Sequence, residues 1–292
     1  SQYSPKNQLA FEKSTNVLGS KTMSNEIASH YSPGNLGAAI EAGLKVVTGN
    51  TRPATIDDLA PVDEFHIGSR AASVHLFDQL GLTSADIVLD VGAGIGGSSR
   101  FVAKNYGCKV TGIDLTPEFS EVGNSLNEKF GLSDLVSIQQ GSALEMPFED
   151  DSFSVVYMMH VGMNISDKAA LYSEIRRVLK PGGKFAVYDV LKGSNPAALE
   201  FPVPWATEPS SSFLATVDQM RELLTNAGFE IDVVEDRIEF AVEFFKGLTP
   251  PAGGPPPIGL HLIIGKDTPI KIKNMVDNIN NDLCGPWELI AH

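Results

Sequence analysis

Cysteine is scarce in this chain: two residues in 292, Cys108 and Cys284, lie far apart. Neither sits in a CxxC pair or a Cys/His cluster, so no metal is expected, and a reducing compartment fits better than a disulfide. Basic side chains are also short in number, 22 Lys and Arg against 36 Asp and Glu, for a net charge of -14. Nucleic-acid binding runs on clustered Lys and Arg, so a phosphate-backbone partner is not expected. Long apolar runs are missing as well, and with them any stretch of the roughly 20 residues that a membrane span needs. The first residues, Ser1 to Lys13, are polar and carry no apolar signal core. These absences lead to the expectation of a soluble, cytoplasmic protein, or one inside an organelle after loss of a transit peptide. They leave oligomeric state open between monomer and homodimer.

Glycine and proline, in contrast, are plentiful, at 27 and 18 residues, and they punctuate a regular pattern. Residues 1–30 read as a polar arm. Ala38 to Val47 reads as a short helix after the turn-forming Ser32-Pro33-Gly34-Asn35, and residues 49–68, with Pro53 and Pro61, as loop. Ala72, Leu76, Phe77 and Leu80 follow helical spacing over Ser69 to Leu80. Then strands at Ile87–Val91, Lys109–Asp114, Leu135–Gln140, Phe153–Met159 and Phe185–Val190 alternate with helices at Gly97–Tyr106, Pro117–Phe130 and Lys168–Leu179. Such alternation implies a parallel sheet covered on both faces. A Pro-, Ser- and Ala-rich insertion follows over 191–216, and then a helix from Val217 to Asn226. Phe229–Glu235 and Leu260–Ile264 are expected as two final strands, and residues 269–281 as the last helix.

The central motif is Val88-Leu89-Asp90-Val91-Gly92-Ala93-Gly94-Ile95-Gly96-Gly97, between a strand and a helix. Glycines there let the backbone turn sharply and approach a ligand, and the helix N-terminus offers unpaired N–H groups. The string also satisfies G-x-G-x-x-G, which dinucleotide enzymes share. Asp114 ends the second strand, where an acid hydrogen-bonds ribose hydroxyls in either class.

Three further segments separate the classes. Asp90 stands two residues before the first glycine. Gly141-Ser142-Ala143-Leu144-Glu145-Met146-Pro147-Phe148 is followed by Asp150-Asp151-Ser152-Phe153. Val178-Leu179-Lys180-Pro181-Gly182-Gly183-Lys184 precedes the fifth strand. In this order they resemble the class I S-adenosylmethionine-dependent methyltransferases over residues 68–190. The resemblance implies a Rossmann-like α/β fold, seven strands mostly parallel with an antiparallel last strand, and helices on both faces. It implies S-adenosylmethionine as cofactor and S-adenosylhomocysteine as product. The cofactor residues it implies are Gly68, Asp90, Gly92, Ala93, Gly94, Gly96, Asp114, Leu115, Ser142, Ala143, Leu144 and His160. Ser142 departs from the acid usual at its position, which leaves the adenine contact to the backbone of Ala143 or Leu144.

A narrower resemblance rests on Met159-His160-Val161-Gly162-Met163-Asn164, Tyr188-Asp189-Val190-Leu191-Lys192, Pro202-Val203-Pro204-Trp205-Ala206 and Tyr31-Ser32-Pro33-Gly34-Asn35. Together these are similar to sarcosine/dimethylglycine N-methyltransferases, which implies a small amino-acid acceptor and glycine betaine as product. Aromatic faces at Trp205 and Tyr31 would suit a quaternary ammonium. His160, at a strand end, is the candidate to accept the amine proton, with Asn164 as a second polar contact. Arg70 and Lys192 are the two candidates for the acceptor's carboxylate. An O- or C-methyltransferase acting on a larger apolar acceptor would instead need a wide apolar pocket. A silent protein that binds the cofactor without chemistry is the alternative of another class. The expected organisation is an arm and helical lid over 1–68, then the methyltransferase domain over 69–292 with its insertion at about 191–216.

Overall fold

A computed structural model of the chain describes residues 35–49, 51–248 and 254–292. Tyr31 and the arm over 1–30 lie outside these residues. Seven strands form one sheet: β1 (Ile87–Val91), β2 (Lys109–Asp114), β3 (Val136–Gln140), β4 (Phe153–Met159), β5 (Leu179–Lys192), β6 (Ile231–Asp236) and β7 (Cys284–Ala291). Their order is β3-β2-β1-β4-β5-β7-β6. The pairs among β1 to β5 are parallel, and β7 lies antiparallel to both β5 and β6. Val88, Leu89 and Val91 of β1 and Val155 to Met158 of β4 are all buried. Strands covered on both faces do not need polar residues at alternate positions, which is why the β4 run is continuously apolar and β1 is interrupted only by Asp90.

Helix α1 (Leu36–Thr48) precedes the sheet, followed by a single 3₁₀ turn (Ile56–Leu59), α2 (Ala60–Asp63) and α3 (Ser69–Asp78). The crossover helices are α4 (Gly97–Tyr106), α5 (Pro117–Lys129), α6 (Lys168–Val178) and α7 (Val217–Asn226). Their starts follow from local chemistry. Pro117 occupies the first turn of α5, where its missing N–H costs nothing. Asp167 Oδ1 accepts the Ala170 N–H at the head of α6 (2.9 Å), and Thr216 and Gln219 form a reciprocal capping box on α7. Helices α3 and α4 pack Leu76, Phe77, Phe101 and Val102 on one face of the sheet, and α6 and α7 pack Leu171, Ile175, Met220 and Leu224 on the other.

Three sequence expectations are corrected. Residues 49–68 are not a loop: Pro61 lies in the first turn of α2, a position where proline starts a helix rather than breaking one. Leu260–Ile264 is not a strand; the apolar run forms the one-turn helix α9 (His261–Ile264), packed with α1 and Ile258. The antiparallel strand is β7, whose Gly285 and Pro286 hide it from a β-pattern reading. Between β6 and α9 lies a further helix, α8 (Ile238–Gly247), and α10 (Thr268–Asn280) precedes β7. The 191–216 insertion is irregular, with a short bridge between Val203 and Ala206, and is tied down by side-chain amides: Asn274 Nδ2 donates to Pro202 O (2.9 Å) and Asn278 Nδ2 to Glu200 O (3.0 Å).

Candidate active site

The glycine loop between β1 and α4 is held from below by backbone hydrogen bonds. Gly92 and Ala93 both donate to Ile113 O (2.8 and 3.1 Å), and Gly96 donates to Ala93 O (2.8 Å). Gly92, Gly94 and Gly96 all have positive φ, where an L side chain is strained. Their surroundings differ. A Cβ on Gly92 would lie 2.4 Å from Val161, whereas a Cβ on Gly94 would meet nothing within 4 Å. Gly94 therefore presents bare backbone to an open space above the carboxyl edge of the sheet. That is a cradle fit for a nucleoside cofactor, at the edge where α/β folds bind ligands.

Both acids of the motif brace this loop. Asp90 Oδ2 accepts three hydroxyls, from Ser98 (2.8 Å), Ser99 (2.6 Å) and Tyr157 (2.8 Å), while Oδ1 has no partner among the described residues. Burial pushes its carboxyl up to about 6. Asp114 accepts the Gly94 N–H on Oδ2 (2.8 Å) and the Thr116 N–H on Oδ1 (2.9 Å), and burial raises its carboxyl too. Gly141 donates to Asp114 O (2.8 Å), which brings the 141–144 turn beside this edge; Ser142 Oγ accepts the Leu144 N–H (3.2 Å). Ser142, Ala143, Leu144 and Leu115 are all half-buried there.

Next to the loop is a half-open apolar cavity of roughly 290 Å³. Phe65, Met163, Trp205, Phe244, Phe245 and Met275 are the aromatic and methionine side chains of its wall, and Glu64, His66, Ser69 and His160 supply its polar points. His160 connects cavity to loop, since the following residue, Val161, packs on Gly92. The roof comes from α2, α8, α10 and the insertion, so residues far apart in sequence meet here.

His160 is a clasp. Its φ is 56°, a left-handed value rare outside glycine. Its backbone N–H donates to Tyr188 O (2.7 Å), and Nδ1 also lies 3.1 Å from that carbonyl, so Nδ1 carries the proton. Nε2 then accepts the Ile67 N–H (3.2 Å), while Tyr188 Oη donates to Ile67 O (3.0 Å). Both ring nitrogens are thus engaged in holding residue 67 to the end of β4.

His66 is arranged differently. Its Nε2 lies 3.1 Å from Ser69 O, 3.1 Å from Ser73 Oγ and 3.3 Å from Glu64 Oε2. Ser73 Oγ donates to Glu64 Oε2 (2.7 Å), so all three neighbours of Nε2 are acceptors and Nε2 carries the proton. Arg70 Nε stands 2.5 Å from Glu64 Oε1, an ion pair without hydrogen-bond alignment, and its guanidinium lies over the Phe101 ring.

Burial holds His160 down at about 3 and His66 at about 4, so both are neutral near neutrality. The unfolded chain binds these protons below about pH 6.5 and the folded chain does not. Their contribution to stability is therefore complete above pH 6.5 and lost as the pH falls toward 4. His160→Gln removes one excluded proton. Urea unfolding at pH 7.5 and 5 is expected to show an acid-induced loss about 2 kcal/mol smaller in the variant. Buried Asp63, Asp90 and Asp189, raised to about 6, 6 and 7, act in the opposite sense but cancel in this difference. Equal acid sensitivity in the two proteins would contradict the neutral clasp.

The other expected residues divide. Trp205 lines the cavity, its Nε1 donating to Ser212 Oγ (2.9 Å). Asn164 Nδ2 donates to Trp205 O (2.7 Å) and so anchors the insertion, and Asn164 is not among the lining residues. Gly68 permits close approach, but to Phe240, whose ring a Cβ would strike at 2.3 Å. Arg70 is occupied by Glu64 and stands outside the lining, and Lys192 is exposed at the end of β5, also outside it. Tyr31 lies outside the described residues. Sequence reading missed Glu64 and His66, which sit in the stretch taken for loop. It missed Asp189 too, whose Oδ1 accepts the Val161 N–H (3.0 Å) and steadies the turn after His160. His75 of α3, Glu235 of β6 and Glu288 of β7 bring ligating atoms within 4.8 Å of one another on the α3 side of the sheet. Arg237 Nη1 already reaches His75 (3.0 Å) and Glu235 (2.7 Å), so positive charge is supplied there by the chain itself.

A seven-stranded sheet with antiparallel β7 inserted beside β5, and a glycine loop flanked by two acids, define the class I methyltransferase fold. Residues 89–187 match the family described as a methyltransferase domain. The sterol 24-C-methyltransferase of Eremothecium gossypii is 35% identical over 170 residues, 56% of this chain and 46% of that one. A probable chloroplastic tocopherol O-methyltransferase of Oryza sativa subsp. japonica is 48% identical over 100 residues, 34% of this chain and 28% of its own. A putative sarcosine dimethylglycine methyltransferase from Galdieria sulphuraria shares the fold, with a TM-score of 0.58 and 18% identity over 75% of this chain and 82% of that one. The matches thus span less than half the length of these two curated relatives. The chain carries a class I methyltransferase domain, and S-adenosylmethionine is the cofactor of that domain.

Proposed function

We propose that this chain transfers a methyl group from S-adenosylmethionine to an apolar small molecule of isoprenoid character. The observation that carries the reading is the cavity wall of Phe65, Met163, Trp205, Phe244, Phe245 and Met275 beside the glycine loop. Leu248, 52% exposed, also lines it and gives a longer acceptor a way out. The names of the sterol and tocopherol relatives support the same acceptor class.

The cofactor supplies an electrophilic methyl group, whose bonding pair returns to the sulfonium sulfur as the acceptor's electrons take the methyl. The chain's part is to hold the two reactants. Asp90 Oδ1 would take the ammonium group, Asp114 the ribose hydroxyls, the Gly92–Gly96 backbone would lie under the cofactor, and Ala143 and Leu144 would meet the adenine. A fixed near-attack geometry is worth roughly 7–11 kcal/mol of barrier. Closure of the roof would keep water out.

The amino-acid reading keeps one observation in its favour: the aromatic wall would also receive a quaternary ammonium. Against it, no Lys or Arg stands among the described lining residues to pair a carboxylate. A mass-resolved assay with trideuteromethyl-labelled S-adenosylmethionine distinguishes these readings. A sterol, a tocopherol, sarcosine and dimethylglycine are offered as rival acceptors. Label is expected on an apolar acceptor, with sarcosine and dimethylglycine at background. Label confined to dimethylglycine or betaine would replace the proposal with the amino-acid reading. Cofactor binding with no labelled product of any kind would point to a silent protein.

A further inference from the structure

The narrower sequence reading gives the proton-accepting role to His160, yet in the structure that ring has no nitrogen to spare. Nδ1 donates to Tyr188 O and Nε2 accepts from Ile67 N, and the ring is tilted against Tyr188 with centroids 5.0 Å apart. To accept a proton from an acceptor, Nε2 would have to release the Ile67 N–H and open the clasp.

The second imidazole of the cavity is oriented in the complementary sense. His66 sits edge-on to His160, with centroids 6.2 Å apart. Its Nε2–H is fixed by Ser69 O, Ser73 Oγ and Glu64 Oε2, and Glu64 is fixed in turn by Ser73 and Arg70. Nδ1 therefore holds a lone pair, and it has no partner among the described residues. His66 lines the cavity, with its side chain 4% exposed. The arrangement is a carboxylate that orients the imidazole through Nε2 and leaves its other nitrogen unengaged on a residue that lines the cavity, as a general base requires.

We infer that His66 Nδ1 takes the proton that the acceptor gives up on methylation, that Glu64 is its positioning residue, and that His160 takes no part in proton transfer. The inference rests on the apolar-acceptor reading. For a phenolic acceptor, the O–CH3 bond forms as the O–H electrons stay on oxygen, and the proton passes to the Nδ1 lone pair. For an alkene, the carbon that becomes electron-poor after C–CH3 bond formation loses its neighbouring proton to the same atom. In both cases charge moves to an imidazolium 3.3 Å from a carboxylate, which stabilises it.

The test reads tautomers directly. Protein labelled with 15N-histidine is observed by NMR without ligand, then with S-adenosylhomocysteine, then with 2-naphthol added as a phenol probe. His66→Asn and His160→Asn assign the two rings by loss of signal. The expected result is a protonated Nε2 and bare Nδ1 on His66, and the reverse on His160. Naphthol should then shift His66 Nδ1, leave His160 in place, and leave His160 unshifted in the His66→Asn protein as well. Glu64→Gln should spread His66 over both tautomers while keeping the fold, a change that loss of packing alone would not produce. A protonated Nδ1 on His66 in the free protein overturns the inference, as does naphthol acting on His160 Nε2 instead. Naphthol that quenches Trp205 without moving His66 overturns it as well. Failure of naphthol to bind counts against the apolar-acceptor reading, and the tautomer of the free protein then still decides the role of His66.

Discussion

Gly94→Leu is expected to weaken S-adenosylmethionine binding about 100-fold or more, roughly 2.7 kcal/mol, while the protein remains folded. A Cβ at residue 94 would meet no atom within 4 Å, so a side chain there starts into open space and displaces what that space would hold. The substitution also strains the backbone, because φ at residue 94 is 55°. That cost, about 1–2 kcal/mol, is common to any left-handed position. Gly182 provides the control. Its φ is 74°, its Cβ direction is equally open, and it lies in the bend of β5 after Pro181, away from the glycine loop. Gly182→Leu should lower Tm by as much as Gly94→Leu and leave cofactor affinity within about twofold of the parent. Calorimetric titration of both variants decides the matter. Tight binding by Gly94→Leu would mean that the cofactor does not lie over this loop.

Arg100→Met is expected to cost about 3–5 kcal/mol of stability. Arg100 is fully buried; its Nη2 meets Asp63 Oδ1 at 2.7 Å and its Nη1 meets Asn127 Oδ1 at 3.0 Å. Removing the guanidinium leaves Asp63 without its counter-charge in a site where burial already pushes its carboxyl up to about 6. At about 2–4 °C per kcal/mol for chains of this order of size, Tm should fall by roughly 10 °C. Arg100→Met combined with Asp63→Leu removes both charges and should recover more than half of the loss. A double variant as unstable as the single one would assign the loss to packing instead. The pair also ties α2 to α4, and a Cβ at Gly97 would lie 2.4 Å from Asp63 O. The roof of the cavity therefore rests directly on the helix that begins at the glycine loop.

The sheet was readable because parallel strands buried on both faces leave unbroken apolar runs, as at Val155 to Met158, and because proline and glycine mark their ends. The cofactor edge was readable for a similar reason: the glycines and acids that build it are adjacent in sequence, and backbone geometry demands those residue types. The acceptor cavity was not. Phe244 and Phe245 come from α8, Met275 from α10 and Trp205 from an irregular insertion, and no local periodicity tells that they meet. Arg70 looked free because its partner Glu64 lay in a stretch read as loop. His160 looked available because hydrogen bonds to Ile67 and Tyr188, 93 and 28 positions away, cannot be read from a strand end.

Strand β7 has a consequence for the order in which the molecule assembles. It is the only strand that contacts both β5 and β6, so β6 and the helix α8 that follows it reach the sheet through residues 284–291. Strands β1 to β5, with the cofactor edge, pair with one another without β6 or α8. Loop closure over long stretches is slow relative to local pairing, so the nucleotide half should be protected from amide exchange early in refolding and the acceptor wall late. A chain cut between α10 and β7 would then resemble a cofactor-binding half that has lost its choice of acceptor.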